Sequence, residues 1–198
     1  MTVLANTHGA AAVTETPRYD RTSILLHWVT AGLVVSLWCI AQVIDLFPRG
    51  MPRITVRSLH ILLGVTLGVI LVVRVRWRMT SGRRLPLALP VLAGHAARAV
   101  HYTLYVLIAA TVALGIANAW VRGDRIFALF TIPKLAPGNP RLKEAVGNLH
   151  GWMANTVLIL AALHAAAALT HHFVLRDGVL RRMLPGSRQK PDQVRSTL

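Results

Sequence analysis

Four long apolar runs separated by clusters of arginine constrain this chain more than any other feature. They extend from about Ile24 to Phe47, Val56 to Val73, Val100 to Val121 and Ala145 to Leu175. A helix rises about 1.5 Å per residue and needs roughly 20 residues to cross the hydrocarbon layer, so each run is long enough for one crossing. The second is the shortest, bounded by Arg57 and Arg74, and Pro48 breaks the chain after the first. The expected fold class is therefore an all-α membrane protein, a bundle of four transmembrane helices.

Composition supports this reading. Of 198 residues 54% are apolar and 15% charged, against roughly 25% charged in a soluble domain. The net charge of +15 would point to nucleic acid in a soluble protein. Here the basic residues lie between apolar runs, so they read as loop charges and no nucleic-acid partner is expected. The single cysteine, Cys39, excludes a disulfide framework or thiolate cluster. Residues 1–17 lack a basic stretch followed by an apolar core, so no cleaved signal peptide is expected. They read as a polar tail, residues 18–185 as one membrane domain, and 186–198 as a second polar tail.

Loop charge sets the expected orientation. One side of the bundle holds 14 Lys and Arg residues, the other 8. The positive-inside bias makes the richer side, with both termini, cytoplasmic. The outer side keeps a net charge of +5 after Asp45, Asp124 and Glu144 are counted.

Histidine is the abundant residue able to carry chemistry, with nine copies. His27 lies near the inner end of the first span, His60 near the outer end of the second, and His150 and His164 on the fourth. An ionisable residue within a span is a functional candidate. Fourteen residues at about 100° each fall about 40° short of four turns, so His150 and His164 share a face about 21 Å apart. Depth pairs His60 with His150 and His27 with His164. Two stacked bis-histidine pairs in a four-helix bundle suit the irons of two haems b. The residue four positions on is small in each case (Ala31, Gly64, Ala154, Ala168), which leaves room for a porphyrin plane. His101 departs from this pattern, with Tyr105 at that position. The competing reading is of histidines bonded to neighbouring helices, with Gly64 and Gly68 as a packing face. Pairs alone supply too few ligands for a closed zinc site. His8 and His95 read as loop residues, and Trp28, Trp38, Trp77, Trp120 and Trp152 mostly as interfacial anchors.

The run Arg18-Tyr19-Asp20-Arg21 leads into His27-Trp28. Phe47-Pro48-Arg49, His60 with Gly64, His101 with Tyr105, Arg122-Gly123, and the stretch from Leu163-His164 through His171-His172 follow in order. Over residues 18–185 this set resembles the bacterial cytochrome b561 family, most closely its superoxide oxidase branch. The resemblance implies two haems b, electron transfer across the bacterial inner membrane, a ubiquinone site on the cytoplasmic side and superoxide oxidation at the outer face. A basic outer rim including Arg49, Arg53 and Arg122 would steer the superoxide anion or bind haem propionates. His101 and His171 are the expected proton donors or hydrogen-bond partners of the quinone. Two other readings remain: a haem b anchor subunit relaying electrons between a dehydrogenase or hydrogenase and quinone, and a non-redox helical membrane protein.

Overall fold

The computed structural model describes residues 18–82, 85, 91–135 and 137–185. The expected tails at 1–17 and 186–198 lie outside the described residues. Four long helices are present: α1 (Arg21–Val43), α2 (Met51–Thr80), α3 (Val91–Arg122) and α4 (Pro140–Thr170). Between α3 and α4 a small antiparallel hairpin pairs β1 (Arg125–Ile126) with β2 (Phe130–Thr131).

Local chemistry explains the helix starts. Asp20 caps α1, accepting the Ser23 N–H at 2.8 Å, and Asn139 caps α4 through Leu142 N at 3.0 Å with Pro140 in the first turn. Gly50, with φ of 112°, turns the chain between a short 3-10 turn (Ile44–Leu46) and α2. The helices extend beyond the expected spans. Arg57 and Arg74 lie inside the thirty-residue α2 rather than at its ends. Helical hydrogen bonding is local and tolerates a charged side chain that finds a polar partner, as both arginines do: Arg57 meets Asp124 at 3.5 Å and Arg74 meets His27 at 2.9 Å.

The bundle is inside-out relative to a soluble protein. All four helices are long and apolar enough to span a membrane, yet at most 22% of any span's most apolar window is buried. Leu25, Val69, Val72, Val106, Ile159 and Leu163 point outward. Apolar surface on that scale requires lipid, so the chain is a multi-pass membrane protein. The interior core is small: Leu37, Leu67, Leu71, Ile108 and Val157, with every helix contributing. Leu67 lies seven residues from both His60 and Arg74, and Val157 seven from both His150 and His164, so the core forms an apolar layer at mid-depth.

Two polar ties hold the ends. At the end carrying the chain termini, Trp28 Nε1 donates to Met183 O at 2.8 Å, Trp77 Nε1 to Asp20 Oδ1 at 2.9 Å, and Tyr19 N to Arg182 O at 3.1 Å. Trp38, deeper in α1, donates to Asn155 Oδ1 at 2.9 Å. These three tryptophans thus tie elements together, whereas Trp120 and Trp152 are 51% and 76% exposed, as interfacial anchors would be.

At the opposite end Ser58 is fully buried and fastens the hairpin to α2. Its oxygen accepts the Phe127 N–H at 2.8 Å, and its hydroxyl points to Ile54 O at 2.7 Å and Arg125 O at 3.1 Å. Ser58→Ala strands a buried donor in the hairpin and is expected to destabilise by about 1–3 kcal/mol. A thermal midpoint in detergent no lower than wild type would refute that fastening.

Candidate functional site

The histidines gather at two depths, on either side of the apolar core. Towards the hairpin end, His60 on α2 faces His150 on α4 with ring centroids 6.2 Å apart. Towards the end with the termini, His27 on α1 faces His164 on α4 at 6.4 Å. An iron between two imidazoles needs a metal–nitrogen bond of about 2 Å on each side and about 1.2 Å from nitrogen to ring centre, or roughly 6.4 Å in all. Both pairs have that separation.

The hairpin-end pair is the more open. It lines a cavity of about 770 Å³ together with Gly64, Gly115, Gly151, Ala154, Arg57 and Arg122. That volume lies within the usual range for cofactor pockets. His150 Nδ1 meets Thr111 O at 3.1 Å, which keeps the proton on Nδ1 and leaves Nε2 free as a ligand. His60 Nδ1 is buried with no hydrogen-bond partner of good geometry. A Cβ on Gly64 or Gly151 would meet nothing within 4 Å, so both glycines face open space. Gly68 differs: its Cβ would lie 3.1 Å from Val112 Cγ1, so it packs α2 on α3. Of the two glycines spaced for helix packing, one packs and the other opens the cavity.

The second cluster is more crowded. His101 approaches His164 to 4.9 Å between ring centroids, too close for an iron between them. It therefore stands beside the His27–His164 pair, with its Nδ1 on Ala97 O at 2.7 Å and no hydrogen bond to its Nε2 among the described residues. Arg74 donates to His27 Nδ1 at 2.9 Å and lies 5.2 Å from the centre of the Tyr105 ring. Arginine only donates, so His27 here carries its ring proton on Nε2, and ligation through Nε2 requires Arg74 to release Nδ1. Sequence reasoning counted Arg74 only as a boundary charge. The signal was present: Arg74 follows His60 by fourteen residues, the spacing that puts His164 below His150.

The remaining candidates separate. His171, in a π turn over His171–Leu175, bonds the Asp177 carboxylate; no ring contact or hydrogen bond joins it to His101 among the described residues. Desolvation pushes the Asp177 carboxyl up, but the bonds from His171 and from the Val179 N–H at 3.1 Å outweigh it and hold the group below its ordinary value. At the hairpin end, Arg53 closes the α1–α2 turn, donating to Phe47 O at 2.7 Å and Asp45 O at 2.9 Å and pairing with the Asp45 carboxylate at 3.4 Å. Arg57 and Arg122 converge on Asp124 at 3.5 and 3.4 Å, and all three line the cavity. Among the described residues Arg49 and Arg125 have no ion pair, and both are exposed.

The sequence profile described as prokaryotic cytochrome b561 matches residues 18–186. The chain belongs to the prokaryotic cytochrome b561 family. It is 33% identical to cytochrome b561 homolog 2 of Escherichia coli (strain K12) over 181 residues, covering 86% of this chain and 94% of that protein. It is 30% identical to cytochrome b561 homolog 1 of the same organism over 172 residues, covering 85% and 97%. A probable superoxide oxidase CybB of Yersinia pestis is 29% identical over 174 residues, covering 86% and 98%. As a cytochrome b561, the chain is a membrane electron-transfer protein, and the family implies haem b. The cavity, the free Nε2 of His150 and the ring separations fit that group.

A Cβ on Gly115 would lie 3.0 Å from His150 Cε1. Gly115→Val is therefore expected to displace the His150 ring and lower the haem bound per chain in a pyridine haemochrome assay. Gly68→Ala crowds Val112 rather than a histidine and should keep the haem. Equal haem content in wild type and Gly115→Val would remove His150 from the site.

Proposed function

We propose that this protein is a two-haem superoxide:ubiquinone oxidoreductase of the bacterial inner membrane, with both termini cytoplasmic. His60 and His150 would hold one haem iron, and His27 and His164 the other. The observation that carries this reading is the pair of histidine levels, each with iron-compatible separation, on opposite sides of one apolar layer. Bound haem supplies one-electron chemistry at iron. Because each iron would be held by a pair of histidines, the pocket edge rather than the metal would be open to small substrates.

The residues divide the work by end. Towards the outside, Arg49 and Arg125, exposed and without an ion pair among the described residues, are suited to drawing a small anion to the surface. Arg57 and Arg122, in the cavity lining, would meet haem propionates, while Arg53 serves the turn it closes. Towards the cytoplasm, reduction of ubiquinone to ubiquinol takes two electrons and two protons. Two superoxide anions supply the electrons as they become oxygen, and the cytoplasm supplies the protons. His101 and His171 each have Nδ1 occupied, so each would hold or pass a proton at Nε2. The likeness to a probable superoxide oxidase supports this choice of substrate.

Two experiments test the reading. His150→Ala is expected to bind one haem where wild type binds two; two haems in the variant would overturn the ligand assignment. Mixing the oxidised protein anaerobically with superoxide should reduce its haem, at a bimolecular rate that falls as salt screens charge beyond about 8 Å. Arg49→Glu with Arg125→Glu should slow that step and flatten its salt dependence without changing haem content. A rate indifferent to both salt and charge would instead favour an electron-relay subunit serving a partner dehydrogenase.

A further inference from the structure

The end of the bundle that carries the termini has a second pocket, separate from both histidine levels. It measures about 220 Å³ and is lined by His172, Phe173, Arg176, Gly178 and Arg181. The irregular end of α4 builds it. The helix widens into the π turn, Arg176 takes a left-handed backbone with φ of 52°, and Gly178 follows with φ of 77°. The chain reverses there and enters a 3-10 turn at Leu180–Met183, which brings Arg181 to the same hollow as Arg176.

Two arginines thus line one hollow, and neither has an ion-pair partner among the described residues. Asp177 is the acid of this stretch, and His171 and the Val179 N–H already occupy its carboxylate. Among the described residues no carboxylate is within ion-pair distance of Arg176 or Arg181. The hollow also sits at the lipid edge: Phe173, Val174 and Leu175, at the end of the fourth span, are 65%, 72% and 58% exposed.

We propose that this pocket binds the phosphate group of an anionic phospholipid. Arg176 and Arg181 would fork onto the phosphate oxygens, His172 would add a ring N–H, and Phe173 would lie along the glycerol and upper acyl chain. None of these five residues belongs to the haem or quinone assignments above, so the site stands or falls independently of them.

The test uses the full-length haem-loaded protein in nanodiscs of phosphatidylcholine carrying a minor fraction of phosphatidylglycerol. Native mass spectrometry reads the lipid retained. Wild type should keep phosphatidylglycerol in preference to phosphatidylcholine. Arg176→Gln and Arg181→Gln should each weaken retention about fivefold, and the double variant about 25-fold, with haem content and thermal midpoint unchanged. Competition with millimolar inorganic phosphate distinguishes the sources: displacement of the lipid means the pocket takes the phosphate group from either, and no displacement means it requires the whole lipid. Absence of any preference in wild type, or equal retention by the double variant, would overturn the proposal. Absence of a preference in the wild type overturns the proposal even if a variant folds poorly.

Discussion

A polar group inside the hydrocarbon layer has no water to meet, so it must find its partner within the protein. The interior of this bundle follows from that constraint. His150 leans on the Thr111 carbonyl, His101 on Ala97, Arg74 on His27, and Trp38 on Asn155. Each bond fixes a ring or a side chain in one orientation, while position along the helix sets its depth. The same requirement makes Ser58 the fastening of the hairpin, since a buried hydroxyl and two backbone groups satisfy one another there.

The apolar layer between the histidine levels follows from helical periodicity. Seven residues make almost two turns, so the residue midway between His150 and His164 faces the same interior as both, and Val157 occupies it. Leu67 stands in the same relation to His60 and Arg74. The spacing that aligns the two histidine levels also places aliphatic packing between them, which keeps the levels apart. Arg74 completes the symmetry, because α2 then carries a polar residue at each level just as α4 does.

The basic charge at the hairpin end divides into unlike parts once geometry is known. Arg53 is engaged by the turn after α1, and Arg57 and Arg122 by Asp124 in the cavity lining. What is left for long-range attraction is carried by exposed side chains such as Arg49 and Arg125. A net charge summed over a face therefore overstates its free field, since ion pairs and carbonyl bonds neutralise or immobilise part of it.

Sequence alone determined the four spans, the all-α class and the pairing of His60 with His150 and His27 with His164. These depend on run length and on the fixed rotation per residue, which one strand of sequence carries in full. Small residues four positions after the histidines were legible for the same reason, and Gly64 and Ala154 do line the cavity. Tertiary structure decided what depends on distance between helices. It brought His101 against His164, put Arg74 on His27, gave Trp38 a partner in α4 and turned His171 to Asp177. It also separated Gly64, which opens a cavity, from Gly68, which closes a contact. None of these can be read from spacing along one helix, because the rotation and approach of neighbouring helices are set by packing of all four at once.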